Sequence, residues 1–214
     1  MQEMFLRGGV LMWPLLGCSV LSLAITMERL WFWWRENRRR DPEGLDRMLA
    51  RVEAGEAAAV AAGRPGGGSS RPPDYVARII VSGLSHRELG VRESFEIAAE
   101  EEMERMKQGL DVLDTIITMA PLLGILGTVL GIISSFDLLG SSGIEDPKAV
   151  TGGIAQALIT TAAGLTVALV TLVPFNYFVA KVNAAARAVN KTAARFEAAC
   201  RKNPGGGCDD SQRV

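Results

Sequence analysis

The sequence predicts an all-α membrane protein with three transmembrane helices, the second and third extended beyond the bilayer on the cytoplasmic side. Three observations predict it. The first is charge segregation. Charged residues make up 22% of the chain, yet none lies between Asp114 and Asp137, between Lys148 and Lys181, or from Gly8 to Met27. A helix needs roughly 20 apolar residues to cross a bilayer core, and each stretch is long enough. The second is the placement of basic residues, which favours one topology. The third is the unbroken helical character of the charged segments that flank the second and third stretches.

The first span runs from about Val10 to Trp34 and closes on "MERLWFWWRENRRR". Tryptophan prefers the headgroup layer, and arginine beside a span favours the cytoplasmic side, so Arg35, Arg38, Arg39 and Arg40 put the N-terminus outside. The "GSSGIEDPKAV" connection carries only Lys148, whereas Lys181, Arg187, Lys191 and Arg195 follow the third span. The expected topology is N-out, C-in. The expected segments are 1–34 (N-terminus and first span), 35–114 (a cytoplasmic helical loop) and 115–139 (second span). A short outer loop at 140–150, the third span at 151–178, a cytoplasmic helix at 179–203 and a disordered tail at 204–214 complete the chain.

Within the loop, Leu45, Met48, Leu49 and Val52 recur on one side of a helix. "GRPGGGSSRPP" at 63–73 reads as a flexible connector, and "DYVARIIVSGL" as a short amphipathic helix. From Val91 the charged segment meets no breaker except Gly109 and is expected to run without interruption into the second span. "AKVNAAARAVNKTAARFEAACRKN" should continue the third span in the same way.

Several classes are excluded. A net charge of −1 gives no electrostatic case for nucleic acid. Cys18, Cys200 and Cys208 have no paired spacing, and His86 is the one histidine, so no metal or cofactor site is expected. No nucleophile–base pair or phosphate loop argues for an enzyme. "PLLGC" at Cys18 loosely matches a lipoprotein cleavage box, but the apolar run continues beyond it, so a retained anchor helix is expected.

The spans themselves carry stripes. Pro121, Gly124, Thr128, Gly131 and Ser135 alternate in steps of three and four, which places them on one side of a helix. Gly153, Ala157, Thr160, Gly164, Ala168 and Thr171 do the same, flanked by Gln156 and Thr161. Ser19, Ser22 and Thr26 are a weaker version in the first span. Small residues let helices approach closely in lipid, so packing is one reading. A polar path lined by hydroxyls and the Gln156 amide is the other, since a buried amide in hydrocarbon needs partners. No titratable residue sits near the middle of any span, whereas a proton path generally uses an ionisable relay. If the chain conducts protons, the relay acid comes mostly from a partner.

"APLLGILGTVLGIISSFDLL" followed by "AVTGGIAQALITTAAGLTVALVTLVPFNYF" resembles the MotA/TolQ/ExbB proton channel family, on its ExbB/TolQ branch, and "GGVLMWPLLGCSVLSLAITMERL" is similar to that branch's first span. The resemblance covers about three-quarters of the chain. It implies a channel-forming subunit of a proton-motive-force-driven complex in the bacterial inner membrane. It further implies a homo-oligomer, a pentamer, enclosing the single spans of an ExbD-like or TolR-like partner whose aspartate takes the proton. A TonB-like or TolA-like protein would pass the force to the outer membrane. Carried over by motif, Thr128 in "LGTV" and Thr161 in "LITTA" match the family's two pore-facing hydroxyls, with Thr160 and Gln156 beside them. Gln156 stands where some members have glutamate, so only hydrogen bonding or packing is open to it. Glu28 and Arg29 match a boundary ion pair. A TolQ-like role, a flagellar-stator role (usually four spans) and a non-conducting scaffold are the alternatives.

Overall fold

The computed structural model describes residues 9–39, 42–54, 56, 60, 74–85, 91–142 and 147–202. The described residues form six helices and no strand: α1 (Met12–Arg39), α2 (Pro42–Glu53), α3 (Tyr75–Ser85), α4 (Val91–Lys107), α5 (Leu110–Ser142) and α6 (Pro147–Lys202). Three of them, α1, α5 and α6, contain stretches long and apolar enough to cross a membrane. The connector at 63–73, His86, the tail at 204–214 and residues 143–146 of the expected loop at 140–150 lie outside the described residues. The chain divides into two compact units, Met1–Arg29 with Gly109–Val179 and Leu30–Gln108 with Ala180–Val214.

In the first unit, α1 starts from a turn at Gly9, whose φ of 72° suits a residue without a Cβ; its carbonyl accepts from the Met12 N–H at 3.2 Å. Pro147 opens α6 at the helix position where a missing N–H costs nothing. The expectation that α4 runs unbroken into α5 is corrected. α4 ends at Lys107, and Gly109 takes φ 80°, the left-handed conformation that closes a helix. A side chain there would be strained, and a Cβ would also stand 3.0 Å from Ile25 Cγ2. One glycine among strong helix formers is enough to end the run because both conformation and space demand it. By contrast, α6 continues from the third apolar stretch through Lys202 with Pro174 inside it, as the sequence predicts.

α5 and α6 meet through small residues. A Cβ on Gly124 would stand 3.0 Å from Thr161 Cα, and one on Gly164 would stand 2.5 Å from the Ala120 carbonyl oxygen. Ala120, Ala157, Thr160 and Thr171 are buried, while Leu122, Ile125, Leu126, Leu169 and Val173 face outward. Leu15 of α1 joins Ala120 and Ala168 in a small core, with Met12, Leu123, Ala163 and Val167 against it.

The second unit is built as a water-soluble domain is. α3 and α4 pair antiparallel: Gly83 backs onto Phe95, and Arg78 reaches Glu102. The core holds Ile79, Ile80 and Leu84 of α3, Phe95 and Met106 of α4, and Val189 and Phe196 of α6. Phe95 and Phe196 stack at 5.8 Å. α2 buries Leu49 and Val52 and half-buries Leu45 and Met48, the stripe its periodicity predicts.

A charged cluster ties this unit together. Arg78 donates through Nε and Nη2 to the two carboxylate oxygens of Glu102, both at 2.9 Å, and through Nη2 to Glu36 at 3.4 Å. Glu36, buried at the end of α1, also accepts from the Tyr75 N–H at 3.1 Å, and Asp74 caps α3 through the Ala77 N–H at 2.9 Å. The Glu102 hydrogen bonds, helped by the charges of Glu36, Glu102 and Asp74, hold the Arg78 guanidinium above its ordinary value against the opposing effect of burial.

Candidate functional site

The site lies in the first unit, on the α5–α6 pair, and is built from hydroxyls rather than acids. Most hydroxyls in these helices close on their own backbone: Ser135 donates to the Gly131 carbonyl at 2.8 Å, Thr160 to Gln156 at 3.0 Å and Thr171 to Val167 at 2.8 Å. Thr161 differs. Its hydroxyl crosses to the Gly124 carbonyl of α5 at 2.8 Å, an approach that glycine at 124 permits. One residue along, the Ile125 carbonyl accepts from Thr128 at 2.6 Å. Thr128 and Thr161 are both half-buried and close on consecutive carbonyls of one helix, so the structure brings them to one level of the pair.

Helical geometry shows which side they occupy. At 100° per residue, Thr128 sits about 40° to one side of Gly124, whereas Gly127 sits about 60° and Leu123 about 100° to the other. Leu123 packs against the cluster that Leu15 of α1 forms with Ala120 and Ala168, as do Ala163 and Val167 of α6. Thr161 sits about 100° from Thr160 in the sense away from Ala163 and Val167. The two hydroxyls therefore share the flank of the pair that α1 does not cover. Ile125, Leu158 and Leu165 stand exposed beside them.

The other two polar candidates lie elsewhere. Gln156 and Thr160 line a cleft of about 200 Å³ on the α1 side, with Val10, Leu11, Gly127 and Ser134. Gln156 is exposed there, its amide nitrogen close against Gly9. Thr160 is buried, its methyl where a Cβ on Gly127 would stand. The small residues fall as a packing seam: Gly124, Gly131, Gly153, Ala157, Gly164 and Ala168 lie at or beside the contact, and Pro121 is half-buried at its edge. Sequence reasoning missed Gly127 and Ala120, which belong to the same seam; three-residue spacing from Gly124 in "LGILGTV" was the signal for the first. At the end of the unit, Glu28 accepts a bidentate pair of hydrogen bonds from Arg29, both at 2.6 Å, with Arg29 buried and Glu28 exposed. Cys18 is buried and in no disulfide. Among the described residues no group of His, Cys, Asp and Glu is placed to hold a metal.

Each threonine hydroxyl carries one donor and two acceptor sites, and neither titrates near neutral pH. With both protons on backbone carbonyls, the flank offers acceptor oxygens to a protonated carboxyl. If a hydroxyl rotates, it offers a donor to a carboxylate. The pair thus accommodates either state of an acid without itself changing charge.

These features define a three-span helical membrane protein with a hydroxyl-bearing flank and no acid of its own at mid-span. The model of the MotA/TolQ/ExbB proton channel family matches residues 73–191, more than half of the chain. An ExbB-like biopolymer transport protein of Synechocystis is 39% identical over 186 residues, covering 82% of this chain and 69% of the relative. An ExbB homologue of Methanothermobacter thermautotrophicus is 33% identical over 187 residues, covering 85% and 63%. A biopolymer transport protein ExbB of Aquifex aeolicus is 41% identical over 90 residues, covering 42% and 60%. The chain belongs to the MotA/TolQ/ExbB proton channel family, and these similarities place it on the ExbB side.

Proposed function

We propose that the chain is the channel-forming subunit of an inner-membrane complex that converts proton-motive force into movement of a partner, in the ExbB manner that powers TonB-dependent transport. The observation that carries this reading is the uncovered flank bearing Thr128 and Thr161 in spans without a central acid. Several copies, five by family likeness, set these flanks around a shared lumen. The single span of an ExbD-like or TolR-like partner stands inside and supplies the aspartate. The N-terminus is periplasmic and the C-terminus cytoplasmic. One charge crossing about 100 mV releases roughly 2.3 kcal/mol. Neutralising and recharging the partner aspartate changes its preference between the apolar residues and the two hydroxyls, and alternation between the two states moves one component against the other. A TonB-like protein takes up that movement; a TolA-like one would do so in a TolQ-like role. The ExbB names among the relatives favour the first.

The test is proton flux into liposomes carrying the chain with and without its single-span partner. Flux should require the partner. Thr128→Val and Thr161→Val should each lower it at least about tenfold, the scale of losing a hydrogen bond to a charged group, while assembly stays intact. Flux that persists in both variants would remove the two hydroxyls from the path. A chain that assembles but never conducts with its partner would be a scaffold.

A further inference from the structure

The C-terminal end of α1 carries a second surface of interest. Trp31, Trp34, Arg35 and Arg38 follow one another at i, i+3, i+4 and i+7, so they form a single stripe. All four are exposed, with Trp31 at 61% and Trp34 at 54%, while Trp33 and Glu36 of the same turns are buried. The side chains are arranged, not merely adjacent. Arg38 Cζ lies 3.9 Å from the centre of the Trp34 ring, and Arg35 Cζ lies 5.7 Å from that of Trp31. Among the described residues neither guanidinium has a carboxylate partner, in contrast to Arg29 and Arg78.

We propose that this stripe is a binding site for the phosphate of an anionic phospholipid. The stripe lies where a candidate membrane span, Met12–Arg38, ends. Indole rings prefer that headgroup depth. Stacking on an indole face fixes the plane of a guanidinium, and a fixed planar fork suits two phosphate oxygens better than a mobile ammonium does. Two unpaired cations over aromatic faces at this depth are complementary to a headgroup that is negative and attached to apolar chains. An acidic protein surface would match the charge but has no use for the two exposed indoles at the edge of the hydrocarbon. The site requires α1 to cross the bilayer and requires nothing of proton conduction.

The full-length chain with Trp13→Phe, reconstituted in phosphatidylcholine vesicles, provides the test. A small fraction of bromine-tailed lipid quenches tryptophan it touches, and the bromine is carried either on phosphatidylglycerol or on phosphatidylcholine. The preference for phosphatidylglycerol should be roughly fivefold for each basic side chain at the surface. It should vanish in Arg35→Gln/Arg38→Gln, survive in part in Arg35→Lys/Arg38→Lys, and weaken in 1 M salt. Equal quenching by both lipids in the parent chain overturns the site, as does a preference that survives the glutamine pair. If the glutamine pair instead dissociates the oligomer in pure phosphatidylcholine, the stripe serves contact between copies and the lipid assignment fails.

Discussion

The two units of this chain solve one packing problem with opposite residues. Where α5 meets α6, the contact is glycine, alanine and threonine, and the large side chains Leu122, Ile125 and Leu169 point away. Around α3 and α4, Ile79, Ile80, Leu84 and Phe95 point inward, and Glu93, Glu96, Glu100 and Glu104 point out. The difference is one of solvent. In water, burying apolar area drives association at about 25 cal/mol per Å². In hydrocarbon that drive is absent, so close backbone approach and cross-helix hydrogen bonds replace it. Polar groups are placed accordingly: the second unit buries a saturated charge cluster, whereas the first buries neutral hydroxyls closed on backbone carbonyls.

The contrast breaks most visibly under truncation. Ile80 is fully buried, and Ile80→Ala should cost about 4 kcal/mol. Leu122→Ala, on an exposed leucine, should change the unfolding midpoint in detergent by almost nothing. Similar losses from both would show that the exposed face of α5 is covered in the isolated subunit.

Next in size is the charge cluster. Arg78→Met leaves the buried Glu36 without its Arg78 counter-ion and Glu102 with the exposed Arg105 at 3.2 Å, and should cost about 3 kcal/mol, at the low end for a broken buried pair because Arg78 retains partial solvent access and Glu102 keeps that second cation. Arg78 is held above its ordinary value, so the stability it contributes is fully present below that value and is lost only as pH rises through the raised one. The penalty of Arg78→Met should therefore be level across about pH 6 to 9. A penalty that faded towards the alkaline end of that range would contradict the arrangement.

Enlargement probes the small-residue contact within the first unit. Gly164→Ala drives a methyl into the Ala120 carbonyl and should cost about 2 kcal/mol, with weakened α5–α6 association. Gly17→Ala and Gly152→Ala, where a methyl meets nothing within 4 Å, should be neutral or slightly stabilising. The smallest effect belongs to the cross-helix hydrogen bond: Thr161→Val should cost about 0.6 kcal/mol of stability, the average for such bonds in membrane bundles. A small stability change beside a large loss of flux would separate the channel role from a packing role.

Much of this was legible in the sequence. Charge-free stretches give the spans because hydrocarbon tolerates little else, and the alternating small-residue spacing gives the α5–α6 seam. The stripes could not divide the polar candidates. Thr128, Gln156, Thr160 and Thr161 look alike in a list of small and polar residues, and only the position of α1 separates the first and last from the middle two. The charge cluster was equally hidden, because Glu36, Arg78 and Glu102 are far apart in the chain and charged residues in a polar loop read as surface. The break at Gly109 was visible as a glycine; its left-handed backbone was not.

The central claim is that the flank bearing Thr128 and Thr161 faces a hydrated lumen in the assembled protein. In a background with Cys18, Cys200 and Cys208 replaced by serine or alanine, cysteines at Thr128, Thr161, Leu126 and Leu169 can be challenged with a charged, membrane-impermeant thiol reagent in sealed vesicles. The account predicts rapid modification at Thr128 and Thr161 and none at Leu126 or Leu169. Protection of both threonine positions, with modification at the leucines or nowhere, would contradict it.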